Sequence, residues 1–306
     1  MTEIYRTEQL NYKSVFENIV NGAVNYLVKN NIKAQILGIS GGIDSTITAA
    51  LCSVISNKIG IPLIGVSLPC STNKDDEKSS ATMAGGEFCN EFIENNIQDV
   101  FEVLERACKG ISGIGSTAIS QGNLKARLRG MILYDIASKN KGIVMDTDNL
   151  SENSLGFWTI SGGDETDFNL IGGLWKHEVY EFAIWLRENV FKDSEALKAA
   201  IEIIPTDGNG VKDGGDLAQI APGKTYADVD EILMQWVNLD GRIKDYVVKS
   251  DFNYGVFTDL CKKHTKDIVK MVINRSINSE FKRRHRPLII DIFRGYVCDK
   301  DGKIIP

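Results

Sequence analysis

The feature that most constrains this chain is an alternation of short apolar runs with longer helical ones. Residues 15–30, VFENIVNGAVNYLVKN, set Val15, Ile19, Ala23 and Leu27 on one stripe, the spacing of an amphipathic helix. AQILGIS (34–40) is a short apolar run suited to a buried strand, and DSTITAALCSVISNK (44–58) follows as a helix with Asp44 and Ser45 in its first turn. IPLIGVSLP (61–69) predicts a second strand, 81–95 a helix, and DVFEVL (99–104) a third strand-like segment. After a Gly/Ser-rich connection at 109–123 come a helix over 124–140, a strand in GIVMDTD (142–148), a glycine-bearing loop at 161–169 and a helix over 174–189. Strands alternating with helices of this length mean βαβ units. The expected fold is therefore α/β, a single-domain, doubly wound and mainly parallel sheet with helices on both faces. Residues 205–224, rich in Gly and Asp, read as a long loop of the kind that serves as a lid.

At the end of the first strand stands GISGGIDS, Gly38 to Ser45. Its G-x-S-x-G portion matches a nucleophile elbow, which would make Ser40 an acyl-transfer nucleophile. An elbow needs several βα units and an oxyanion loop before its serine, and only 39 residues precede Ser40. The whole stretch fits a phosphate cradle better. Gly41 and Gly42 let backbone N–H groups approach an anion, Ser40 and Ser45 add hydroxyl donors, and the following helix offers its positive end. Asp44 beside such a site is repulsive to phosphate unless a cation lies between them, which points to Mg²⁺; the plainer alternative is a stabilising first-turn acid.

Composition narrows the classes. A net charge of −6 disfavours a nucleic-acid partner, and no apolar run approaches bilayer-spanning length. The N-terminus carries early acids and no apolar core, so no secretory signal is expected there. Six scattered cysteines without a C-x-x-C pair fit reduced core residues of a cytoplasmic protein. With three histidines in all, His177, His264 and His285, a His-based metal site would need nearly every one.

No Walker A loop occurs in the chain; GISGGIDS instead resembles the S-G-G-x-D-S signature (PP-loop) of the ATP pyrophosphatases. Two more blocks bear on the branch. QGNLKARLRGMILYDIA (121–137) puts Lys125 and Arg129 on one helix side, suited to phosphate or carboxylate, or simply to solvent. MDTDNLSENSLGFWT (145–159) places Thr147, Asp148 and Glu152 at a strand's carboxyl end, where α/β chemistry sits. Together the three blocks resemble the ammonia-dependent NAD synthetases, over about Val15 to Pro287.

That resemblance implies ATP-dependent amidation of deamido-NAD through an acyl-adenylate, releasing AMP and pyrophosphate. It implies that Gly38, Ser40, Gly41, Gly42, Asp44 and Ser45 hold ATP together with Arg129, Thr147, Lys176 and Thr206. Asp44 and Glu152 would ligate Mg²⁺, and with Lys176 form the catalytic set. Asn123, Arg127, Asp167, Phe281 and Lys282 would bind the dinucleotide. A homodimer with substrate at its interface is implied as well, with the early helix and helix 174–189 as candidate interface elements, although core packing explains both equally well. A glutaminase domain would require roughly 250 further residues, so free ammonia is the expected nitrogen donor.

Two positions depart from the family pattern, Ile160 in place of a lysine and Phe281 in place of a histidine. They leave open an ATP pyrophosphatase acting on a different acid or nucleotide. A non-catalytic nucleotide sensor is the alternative from another class, and the Asp44/Glu152 pair weighs against it.

Overall fold

The computed structural model describes residues 10–162, 166–203, 217–284, 288–299 and 303–305. Its elements run α1 (Tyr12–Lys29), β1 (Gln35–Gly38), α2 (Ile43–Ile59), β2 (Leu63–Ser67), α3 (Asp75–Phe88), β3 (Glu91–Glu94), α4 (Gln98–Ser112) and α5 (Ala118–Asn140). There follow β4 (Ile143–Asp146), α6 (Leu150–Leu155), β5 (Phe168–Asn169), α7 (Lys176–Asn189), α8 (Glu195–Glu202), α9 (Leu217–Ile220), α10 (Tyr226–Val237), α11 (Gly241–Lys249), α12 (Val256–His264) and α13 (Lys266–Asn278). A 3₁₀ turn at Glu280–Arg284 leads into β6 (Leu288–Ile290) and β7 (Val297–Cys298).

The strands form one seven-stranded sheet in the order β3-β2-β1-β4-β5-β6-β7. Every pairing is parallel except β6 with β7, so the expected doubly wound, mainly parallel sheet is what the chain forms. The order reverses between β1 and β4. In open α/β sheets the crevice at such a switch point, beyond the strands' carboxyl ends, is where ligands bind.

Three apolar clusters hold the layers. One packs α1, α2, α3, α7 and α8 on the sheet around Ile19, Leu37, Ile47, Phe168 and Phe182. A second, with Ile36, Val66, Phe101, Leu128 and Val144, seats α4 and α5 on the opposite face. The third gathers the helices α6 and α9–α13 around Trp175, Ile232, Trp236 and Val272. No helix among the described residues is long and apolar enough to cross a membrane.

Two local expectations fail. The helix expected over 81–95 is α3, starting at Asp75 and ending at Phe88, and residues 91–94 are the edge strand β3. The strand expected at 99–104 is part of α4. Both errors come from burial. β3 is largely exposed and lacks an apolar face, while α4 buries only Phe101, and residues 99–104 taken alone are a short, mostly apolar run whose length fits a strand. The loop expected at 205–224 carries α9 within it, and 204–216 lies outside the described residues. Of the cysteines, Cys52, Cys70 and Cys298 are buried, whereas Cys108 is exposed.

Helices α1 and α7, candidates for interface or core alike, both supply core within this chain. Tyr12 and Phe182 stack at 5.6 Å, and Phe182 lies 6.1 Å from the Trp185 ring. Phe182→Ala should therefore cost about 3–5 kcal/mol of unfolding free energy. Urea denaturation measures it, and the loss should not depend on protein concentration; a loss that fades on dilution would return α7 to an interface.

Candidate nucleotide and metal site

The GISGGIDS turn connects β1 to α2 at the switch point. Gly41 adopts φ +85°, and a Cβ there would lie 2.5 Å from the carbonyl oxygen of Glu77 and 2.7 Å from the nitrogen of Ala81. Only glycine permits both the left-handed backbone and this approach of α3. Ser45 closes the turn. Its Oγ donates to the Gly42 carbonyl at 3.1 Å, accepts the Ser40 N–H at 3.2 Å and lies 3.0 Å from Ser40 Oγ. Ser40 thus bonds within the turn, while His177 and His264 engage Asp230 and Glu231, which is not the arrangement of an elbow nucleophile.

Three elements converge on a group of charges. Asp44 comes from the first turn of α2, Glu152 from the first turn of α6 after β4, and Lys176 opens α7. Lys176 Nζ is hydrogen-bonded to Asp44 Oδ2 and lies 3.1 Å from Glu152 Oε1, with its side chain 3% exposed. Asn149 Nδ2 donates to the other Asp44 oxygen at 2.9 Å. Asn149 also caps α6 in a reciprocal pair with Glu152: its Oδ1 accepts the Glu152 N–H at 3.0 Å and its own N–H donates to Glu152 Oε2 at 3.1 Å.

The electrostatics follow from burial and crowding. Burial, and then the neighbouring Asp44 charge, push the Glu152 carboxyl up to about 7, with Lys176 opposing. Burial pulls the Lys176 ammonium down, but Asp44 and Glu152 outweigh it and hold it well above the usual lysine value. Two carboxylates meeting one ammonium are hard oxygen donors at a shared point. That donor set fits Mg²⁺, which is commonly held by one or two carboxylates with phosphates and waters completing its shell. Among the described residues no group of three or more His, Cys, Asp or Glu is placed to hold a metal ion.

The remaining expected residues fall in two places. Thr147 is half-buried in the turn after β4. Arg129 is turned to the end of β2, its Nε donating to the Leu68 carbonyl at 3.0 Å and its Nη2 to Asn73 Oδ1 at 3.2 Å. Asn123, Arg127 and Lys282 surround the 156–160 turn. Thr159 Oγ1 donates to Asn123 Oδ1 at 2.7 Å, Arg127 Nε to the Ile160 carbonyl at 3.1 Å, and Lys282 Nζ to the Gly156 carbonyl at 2.7 Å. Asp167 accepts from Tyr134 Oη at 3.0 Å and from the Val144 N–H at 3.1 Å, and Phe281 is 55% exposed. Thr206 lies outside the described residues.

Sequence reasoning passed over Asn149, Tyr226 and Asp230. The N-x-x-E cap spacing of Asn149 and Glu152 was a readable signal for the first. The other two reach the site only through packing: the Tyr226 ring lies 5.5 Å from Lys176 Nζ, and Asp230 is buried against α6 and α7.

A small-residue anion turn at the switch point of a doubly wound sheet, with carboxylates and a lysine converging beside it, defines a nucleotide-binding α/β protein of the ATP-pyrophosphatase kind. The chain belongs to the NAD synthase family, whose model matches residues 15–286. The NH(3)-dependent NAD(+) synthetase of Wolinella succinogenes is 28% identical over 88% of this chain and 94% of its own length. The glutamine-dependent NAD(+) synthetase of Thermotoga maritima is 25% identical over 92% of this chain, which spans 45% of that longer protein. Among solved structures, the NMN synthetase of Francisella tularensis superposes with TM-score 0.69 at 22% identity, covering 90% of this chain and 97% of that one. That likeness establishes the fold.

His177 gives the site's surroundings a pH dependence. Burial lowers its pKa, but the hydrogen bond and charge of Asp230 overcome this and raise it above the ordinary histidine value. The stability it contributes is therefore fully present below about 6.5 and is lost as pH rises through the higher folded value. His177→Asn should destabilise the protein more at pH 5.5 than at pH 8.5; equal losses in denaturant titrations at the two pH values would refute this.

Proposed function

We propose that the chain is an ammonia-dependent NAD synthetase: it amidates deamido-NAD with ATP and ammonia, releasing NAD⁺, AMP and pyrophosphate. The observation that carries this reading is the meeting of Asp44, Glu152 and Lys176 beside the Gly38–Ser45 turn in a chain of the NAD synthase family. Residues 1–306 act in this reading as one synthetase domain that takes free ammonia and works in the cytoplasm, without nucleic-acid or membrane partners.

The chemistry requires activation, because a carboxylate would have to expel oxide or hydroxide to become an amide. An oxygen of the nicotinate carboxylate forms a bond to the α-phosphorus of ATP as the bond to the β-phosphate oxygen breaks, so pyrophosphate departs with the electron pair. Ammonia then attacks the acyl carbon of the adenylate, AMP leaves with its bridging oxygen, and the nitrogen loses a proton to give the amide. The Gly38–Ser45 turn would hold the pyrophosphate, its shape fixed by the bonds of the Ser40 and Gly42 N–H groups to the Ser45 and Ser40 hydroxyls. Lys176 supplies a fixed, buried positive charge against which that leaving group develops its own. Asp44 and Glu152 would hold Mg²⁺, which would supply further neutralisation of the phosphates. Ser40 serves as a ligand and forms no bond to substrate. Asn123, Arg127 and Lys282, gathered at the 156–160 turn, hold the acid substrate, with Asp167 just before β5.

The test is a product assay with Mg-ATP and ammonium. Deamido-NAD should yield NAD⁺ and AMP one for one, and Asp44→Ala or Glu152→Ala should lower AMP formation on the order of a hundredfold or more, as expected when several kcal/mol of charge stabilisation are removed. Circular dichroism should show both variants folded. AMP that forms only with nicotinate mononucleotide would move the substrate to the shorter acid; the Francisella protein is named an NMN synthetase. Unimpaired Asp44 and Glu152 variants would remove the metal role.

The proposal includes a homodimer. α4, the connection after it and α5 leave Val103 58%, Ile111 88%, Ile114 75%, Ile119 78% and Met131 60% exposed, an apolar face that a second copy would cover. Light scattering should give a dimer for the wild type and a monomer for Ile111→Lys/Ile119→Lys; a wild type monomeric at all concentrations would exclude it.

A further inference from the structure

Asp230, on α10, is a fully buried carboxylate that the chemistry above does not use. Its partners lie on two other elements, and both carry site residues. Ser151 Oγ donates to Asp230 Oδ1; His177 N–H donates to Oδ2 at 3.1 Å, and His177 Nδ1 lies 2.9 Å from the same oxygen. Ser151 in turn accepts the Lys176 N–H at 2.8 Å. One carboxylate thus binds the residue next to Glu152 directly, and the backbone of Lys176 through a single hydroxyl.

We propose that Asp230 is a positioning residue for the amidation, fixing the first turns of α6 and α7 so that Glu152 and Lys176 meet Asp44. This rests on the functional reading above. The first N–H groups of a helix have no partner within it and must find one elsewhere. In α7 the N–H of Trp175 is taken by Glu178 at 2.8 Å, that of Lys176 by Ser151, and that of His177 by Asp230. Two of the three partners come from outside α7, so they set where the helix begins in space as well as that it begins.

The same helix reaches Lys176 a second time. Tyr226 precedes Asp230 by four residues, hence on the same face of α10, and its ring lies 5.5 Å from the Lys176 ammonium. α10 therefore touches Lys176 at its backbone, through Asp230 and Ser151, and at its head, through Tyr226. For stability alone an apolar side chain would serve as well here, since a buried carboxylate carries a desolvation cost that a hydrocarbon does not. What the carboxylate adds is direction: two oxygens with fixed geometry, one for each helix. Misplacement of a reacting group by about 1 Å can cost on the order of a hundredfold in rate, so the value of that direction lies in turnover.

The experiment compares Asp230→Asn and Ser151→Ala with Leu233→Ala, a core truncation on the same helix that serves as a control for lost stability. Asp230→Asn should lower kcat by about tenfold or more while leaving KM for ATP within about twofold, and Leu233→Ala should retain kcat. Hydrogen exchange provides a readout that needs no substrate. The Lys176 and His177 amides should exchange faster in Asp230→Asn, only the Lys176 amide should do so in Ser151→Ala, and neither should change relative to its neighbours in Leu233→Ala. Wild-type kcat in Asp230→Asn, an equal kcat loss in the control, or unchanged amide protection would overturn the proposal. If the wild type makes no amide at all, the functional reading fails, and the exchange pattern still decides whether Asp230 holds the two helices.

Discussion

The arrangement depends on one electrostatic problem, the placement of Asp44 and Glu152 close together out of bulk water. Two carboxylates so placed repel, and burial penalises the charge of Glu152; its carboxyl, pushed up to about 7, is the sign of that stress. Lys176 relieves it by touching both. The relief is only as good as the geometry, because a buried ion pair that loses one partner leaves an uncompensated charge. The helices that carry the three groups must therefore start at fixed points, and much of the local structure can be understood as fixing those starts.

Each start is secured differently. α2 begins where Gly41 takes a backbone conformation other residues resist and lets α3 come within contact of the turn. α6 begins at a reciprocal cap in which Asn149 also holds Asp44, so the cap of one helix orients the carboxylate of another. α7 begins on donors to Ser151 and Asp230. The parallel sheet brings the first two starts together by its strand order alone, since β1 and β4 are neighbours at the reversal and both point their carboxyl ends the same way. The third comes from packing of the helical layer that follows.

The legible part of the fold was the part with strong burial contrast. β1, β2 and β4 are buried throughout or nearly so, and α1 shows a helical repeat, so they stand out along the chain. α4 and β3 escaped because they are mostly solvent-exposed: α4 buries a single residue, and its residues 99–104, read alone, are a short, mostly apolar run of strand length. An apolar residue in sequence does not report whether its own molecule or a second copy covers it. That is why α1 and α7, apolar and aromatic, read equally as interface and as core, and within this chain both supply core.

By itself the sequence determined the alternation that makes a parallel sheet, the glycine turn that can face an anion, and the identity of the charged groups near it. These are local properties, set by side-chain period, by the steric freedom of glycine and by residue type. Only the tertiary structure decided which of the many acids and lysines meet. Residues 44, 152 and 176 are far apart along the chain, and their contact exists because strand order and helix packing bring three helix starts to one crevice. Asp230 is the clearest case, an acid among forty-one Asp and Glu residues whose place is set by what α10 packs against. Local chemistry leaves a mark on neighbouring residues; packing across a hundred residues leaves none that one sequence can display.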